Sequence, residues 1–136
     1  MGALAASLER VGDRWLLLLV DALLAGPRRF NDLAADVEGI APNILAARLR
    51  RLETEGIVVA RPYSRRPLRF SYTLTASGRE LAGALRLLAD WGARTTDANP
   101  LVHADCGTPM EARWYCPTCS RAVADDEAQR GELRWI

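Results

Sequence analysis

Four side chains toward the end of the 136-residue chain, His103, Cys106, Cys116 and Cys119, stand in the pattern His-x2-Cys-x9-Cys-x2-Cys. Thiolate and imidazole donors in two such pairs suit a tetrahedral zinc ion, and four protein donors leave no open position for catalysis. The expected cofactor is one structural Zn2+ per chain. Gly107 and Pro117 follow knuckle cysteines directly, where tight turns are needed, and Trp114 and Tyr115 supply a minimal apolar cover. A segment of about twenty residues cannot bury enough surface to fold alone, which is the physical reason to invoke a metal. Three alternatives stay open: a disulfide between Cys116 and Cys119, a set of free thiols, or a site in which Asp105 or water replaces His103. Three cysteines cannot pair off evenly, and their clustering favours metal and a reducing, cytoplasmic setting.

A second chemistry is that of guanidinium groups. All eighteen basic residues are Arg, and the net charge is only +1. Resolved along the chain, residues 28–72 carry nine arginines against five acids, whereas residues 97–136 carry four against seven. The positive field therefore lies over one segment, and the tail repels phosphate. Arg29, Arg51, Arg65, Arg66 and Arg69 are the residues expected to neutralise DNA phosphates and displace condensed counterions. In the segment that opens at Pro42, Asn43 can pair with adenine, Arg48 can fork onto guanine, and Ile44 and Ala47 can touch a thymine methyl. A plainer reading stays open, in which Arg50 and Arg51 solvate a helix face beside Glu53 and Glu55. Arg48 can instead pair with Asp32 or Asp36.

The elements that must position these groups are legible in the apolar pattern. Leu4 to Val11 reads as a short helix, and Asp13 can cap a second one whose residues Trp15 to Val20 are apolar all round, so it should be the central packing element. Gly26-Pro27 stops it. Asn31 is a plausible cap for a short helix over Asp32 to Val37. A third pattern runs from Pro42 to Glu55, where Leu45, Leu49 and Leu52 share one face. At 100° per residue the opposite direction holds Asn43, Ala47, Arg50 and Arg51, with Ile44 and Arg48 on the flank toward Arg51. Ile57 to Tyr63 and Arg69 to Leu74 read as a hairpin whose tip, residues 64–68, carries Arg65 and Arg66. Thr75 caps a helix from Ala76 to about Arg94, with Leu81, Leu85, Leu88 and Trp91 in one stripe that suggests a partner subunit. The longest apolar stretch, Trp15 to Leu24 broken by Asp21, is about half of what a bilayer span needs.

That order of parts predicts a mainly α fold with a β-hairpin wing, a winged helix-turn-helix, over residues 1–96, followed by a zinc-ribbon-like module over 97–136. Residues 8–92 resemble the HxlR-type regulators, relatives of the MarR group. The resemblance rests on Leu8-Glu9 with Gly12 and Trp15, on Gly26-Pro27-Arg28-Arg29-Phe30-Asn31-Asp32-Leu33, on Leu45 with Arg48-Leu49 and Leu52, and on Tyr72-Thr73-Leu74-Thr75 with Gly78 and Trp91-Gly92. It implies a homodimeric, sequence-specific transcriptional regulator on a palindromic DNA operator. Helix 42–55 would sit in the major groove and the wing 64–68 on the adjacent groove or backbone. Many members sense thiol stress through a cysteine near the N-terminus, and residues 1–14 hold none. A second reading is an interaction scaffold for transcription machinery with weak, sequence-indifferent DNA binding. An enzyme is not expected, since no βαβ pattern surrounds the Cys116/Cys119 pair and no nucleophile, base and orienter set occurs. A small-molecule effector is a further expected partner; Trp15, Trp91, Tyr63 and Phe70 can line an aromatic pocket between the dimer helices, or serve as ordinary core.

Overall fold

The computed structural model describes residues 2–124 and 126–127. Among the described residues the named helices are α1 (Ala3–Val11), α2 (Arg14–Leu24), α3 (Phe30–Asp36), α4 (Pro42–Thr54) and α5 (Ala76–Thr95), interleaved with strands β1 (Arg28–Arg29), β2 (Val58–Arg65) and β3 (Leu68–Leu74). A further hairpin, β4 (Trp114–Cys116) with β5 (Arg121–Val123), follows α5. The chain divides into two compact units, Met1–Arg86 and Leu87–Ile136, and the division falls inside α5.

In the first unit, α2 starts where Asp13 Oδ1 accepts hydrogen bonds from the Trp15 and Leu16 backbone N–H groups at 2.9 and 3.3 Å. Contrary to what its all-round apolar composition suggested, its faces are not all covered: Leu16, Leu19, Val20 and Leu23 are buried, while Leu18 is 43% exposed. Helix α3 begins two residues before the expected start. Asp32 Oδ2 reaches back to accept from the Arg29 N–H at 2.9 Å, and Arg28–Arg29 pair with Tyr72 and Ser71 of β3, which holds the chain at the helix entrance. Asn31 is therefore inside the helix rather than its cap.

Helix α4 opens on Pro42, whose missing N–H costs nothing in a first turn. Leu45, Leu49 and Leu52 are all buried, in one cluster with Leu19, Val20 and Leu33. Sheet order is β1-β3-β2, antiparallel throughout, with the β2/β3 register shifting between Pro62 and Ser64 so that Tyr63 is left without a cross-strand partner. The wing tip is closed by Ser64 Oγ donating to the Pro67 carbonyl at 2.8 Å.

Thr75 Oγ1 caps α5 by accepting from the Gly78 N–H at 3.0 Å. Gly78 is buried, and a Cβ built there would lie 2.3 Å from the Ile57 carbonyl oxygen. Alanine in a helix interior normally stabilises by about 1 kcal/mol over glycine. Here the sign should reverse, because backbone oxygen cannot rotate away: Gly78→Ala is expected to cost about 1–3 kcal/mol in urea unfolding, and an unchanged or raised midpoint contradicts this packing. The stripe on α5 is split. Leu81 and Leu85 pack against the core, whereas Leu88 and Trp91 are 53% and 60% exposed.

Candidate nucleic-acid interface

Of the residues expected to meet DNA, the wing set is the most open. Arg65, Arg66 and Arg69 are exposed and make no hydrogen bond or ion pair with other described side chains. Arg61, on β2, is likewise exposed. Arg29 stands at the entrance to α3 with its guanidinium over the Tyr63 ring, 4.3 Å from the centroid.

On α4 the picture differs between neighbours. Pro42 and Asn43 are exposed at its first turn and Ala47 is half-buried on the same arc. Ile44 packs against the core instead of facing outward. Arg48 does not pair with Asp32 or Asp36. Its Nη2 donates to Asp13 Oδ2 at 2.9 Å, and its Nε is buried without a partner. Arg51 also turns toward the N-terminal helices: its Nη2 donates to the Glu9 carbonyl at 2.6 Å, and its Nε lies 3.6 Å from Glu55 Oε1. Glu55 in turn accepts from Arg10 Nε at 2.9 Å. These two arginines anchor the helix to the α1–α2 corner.

The arginine this leaves facing solvent is Arg50, exposed and with a guanidinium that makes no hydrogen bond or ion pair with other described residues. It lies on one arc with Asn43 and Ala47 at helical spacings of seven and three. Sequence reasoning had Arg50 on the outward face but assigned the contacts to its neighbours, because the arc gives directions and not what approaches from each side.

Asp13 therefore holds two elements at once, capping α2 with one oxygen and clamping α4 with the other. The Arg48 guanidinium beside it holds its carboxyl below the ordinary 3.8, against a smaller opposing effect of burial. A carboxyl depressed by folding contributes stability above its unfolded value near pH 4, and loses that contribution as pH falls through the lower folded value. The expected outcome is that Asp13→Asn, which keeps a capping oxygen, is less stable than wild type at pH 7 and that the gap narrows below about pH 4. A pH-independent gap in thermal unfolding contradicts the clamp.

In the second unit, both expected knuckles form as turns. His103 Nδ1 lies 3.5 Å from Cys106 Sγ, with the Gly107 N–H donating to the His103 carbonyl at 2.7 Å and Gly107 at φ +70°. Cys116 pairs with Arg121 at the base of the β4–β5 turn; hydrogen bonds from the Cys119 backbone and then its side chain lower the Cys116 thiol pKa, and the side-chain hydrogen bond with Cys116 raises that of Cys119. The donor types suit zinc. Their placement does not complete the site: among the described residues no three His, Cys, Asp or Glu groups are gathered closely enough to hold a metal ion. The expected four-ligand Zn2+ centre is thus not assembled among the described residues: each short turn fixes its own pair of donors and nothing more. All three cysteines are thiols.

A family model described as HxlR-like helix-turn-helix matches residues 10–100. The uncharacterised HTH-type transcriptional regulator Rv3095 of Mycobacterium tuberculosis is 37% identical over 122 residues, 86% of this chain and 77% of that protein. The HTH-type regulator YvaP of Bacillus subtilis is 32% identical over 91 residues, 67% of this chain and 84% of that one. Among solved structures, a protein described as a transcription factor, PA1374 from Pseudomonas aeruginosa, is similar with TM-score 0.72 and 34% identity over 93% of this chain and 88% of its own. The redox regulator HypR in its reduced form has TM-score 0.65 and 29% identity over 69% and 93%. With a free arginine wing beside a leucine-backed helix and a family match over most of its length, this chain belongs to the HxlR-like helix-turn-helix family: it is a DNA-binding transcriptional regulator and not an enzyme.

Proposed function

We propose that the chain works as a homodimer on a palindromic operator, with the exposed arc of α4 in the major groove and the wing on the adjacent groove or backbone. The observation that carries this is the sorting of arginines. Arg48 and Arg51 are spent on holding α4, while Arg50, Arg65, Arg66 and Arg69 are left open to phosphates or base edges. Asn43, Ala47 and Arg50 are the base-reading set; Arg29 and the wing arginines position the protein without reading sequence. Leu88 and Trp91, bare on α5, support a second copy as partner. Affinity for duplex DNA is expected to fall steeply with salt, and a flat response between low and high salt rules the reading out.

The extension takes one zinc ion through His103, Cys106, Cys116 and Cys119 in this reading, supported by the two knuckle turns and the donor chemistry. It requires the turns to close on each other. Elemental analysis of purified protein is expected to find one zinc per chain; metal-free protein with a Cys116–Cys119 disulfide contradicts it. The regulator acts in the cytoplasm. Among the described residues no helix is long and apolar enough to cross a membrane.

A further inference from the structure

Between the entrance to α3 and the wing lies a cleft of about 490 Å3 lined by Arg29, Phe30, Asp32, Tyr63, Arg69 and Phe70, with Tyr72 at its floor. Four aromatic rings meet in it, namely both phenylalanines of the chain and two of its three tyrosines. Phe30 and Tyr72 are packed against the core, so that side is fixed. Tyr63 and Phe70 are 43% and 36% exposed and form the lips. Ordinary core packing does not account for those two. The register shift between Pro62 and Ser64 is what frees Tyr63 from its cross-strand pairing, and a bulge of this kind re-aims a side chain.

Two guanidinium groups face one carboxylate in the cleft. The Arg69 guanidinium makes no hydrogen bond or ion pair with other described residues, and that of Arg29 has only the face of Tyr63. The one lining carboxylate, Asp32, is occupied by the Arg29 backbone N–H at 2.9 Å. The geometry points to a binding site for a small planar aromatic carboxylate, its ring between Tyr63 and Phe70 and its carboxylate forked onto Arg69. The volume suits one or two fused rings. Rings in offset or edge contact and a charge-assisted bidentate pair are the two interactions on offer, and a neutral aromatic would use only the first.

Arg29 and Arg69 are also phosphate contacts in the DNA reading above, so the site has a regulatory consequence that rests on that reading. An aromatic acid bound here competes with the DNA backbone for the same guanidinium groups and weakens operator binding. Aromatic acids are thereby the effector class this regulator would sense. Occupation of the cleft itself does not depend on DNA.

The experiment is calorimetric titration of the full-length protein, without DNA, with 2-naphthoate and with its neutral counterpart 2-naphthalenemethanol. The acid is expected to saturate one site per chain with a dissociation constant of about 1 mM or tighter, and the alcohol to bind about tenfold more weakly or more. Arg69→Ala should lose that preference for the acid, and Phe70→Leu should weaken both compounds. Arg86→Gln, an equal charge change on α5, should leave both unchanged. No saturation by the acid, equal binding of acid and alcohol, or an Arg69→Ala protein that binds like wild type overturns the site. Duplex DNA affinity is then measured with and without saturating 2-naphthoate. A ligand that binds in the cleft without weakening DNA binding overturns the effector role, and a protein that binds the ligand but no DNA at any salt condemns the operator reading while leaving the site standing.

Discussion

Replacing Arg65, Arg66 and Arg69 together by alanine is expected to lower affinity for duplex DNA by about 10²–10³-fold at low salt, while the fold is retained. All three side chains are exposed and unengaged by other described side chains, so the loss of stability should be small. Each phosphate neutralised contributes about 0.9 to the slope of log affinity against log salt, so the slope should flatten by about 2.7 per chain. The loss should be nearly uniform across sequences, because phosphate contacts position the protein and carry no sequence information. A variant whose affinity falls but whose slope does not change would mean that the arginines act through the shape of the wing and not through counterion release.

Leu49→Ala should be the most destabilising single change in the first unit. The side chain is 1% exposed, and it lies in the cluster that joins α4 to α2 and α3. Truncation removes the transfer energy of three carbons and leaves a cavity that close-packed neighbours fill only in part, a cost of about 2–5 kcal/mol. For a unit of this size each kcal/mol lowers the melting temperature by about 4–8 °C, so a drop of about 8 °C or more is expected, the product of the two lower bounds. The same chemical change at Leu18, 43% exposed on α2, should cost much less. Comparable melting temperatures for the two variants would contradict the burial on which the placement of α4 depends.

Much of this architecture was legible because helical periodicity reports burial directly. The leucines spaced by four and three on α4 are all in the core, and the helix ends within a residue of the expected stop. What was not legible is contact between segments distant in sequence. Asp13 is 35 residues from Arg48 and Glu9 is 42 from Arg51, so no local pattern could reveal that these arginines are tethered and that Arg50, between them on the other flank, is not. The start of α3 was missed for a related reason: a strand pairing with β3 fixes residues 28–29, and Asp32 then caps backward. Cysteine spacing showed which donors belong to each turn. It carried no information on whether the two turns meet. Nor did any local pattern reveal that Tyr63 and Phe70 stand beside the wing in the company of Phe30 and Tyr72.

Loss of Arg50 should act differently from loss of the wing. It shares an arc with Asn43 and Ala47 in a helix backed by buried leucine, the arrangement that brings a fork-shaped donor onto the O6 and N7 edge of guanine. Discrimination at one base pair is typically worth about 1–3 kcal/mol for such a contact. Tethering of Arg48 to Asp13 makes the reverse expectation for that residue: Arg48→Ala should weaken the fold more than it alters base preference.

Selection of bound duplexes from a random-sequence pool, run in parallel for the wild type and Arg50→Ala, tests the interface most directly. The wild type is expected to enrich an inverted repeat whose half-sites are centred about one helical turn, roughly 34 Å, apart. Arg50→Ala should enrich the same repeat with preference lost at one symmetry-related base pair in each half. An identical motif from both proteins, or no motif from the wild type, would show that α4 does not read DNA with this arc.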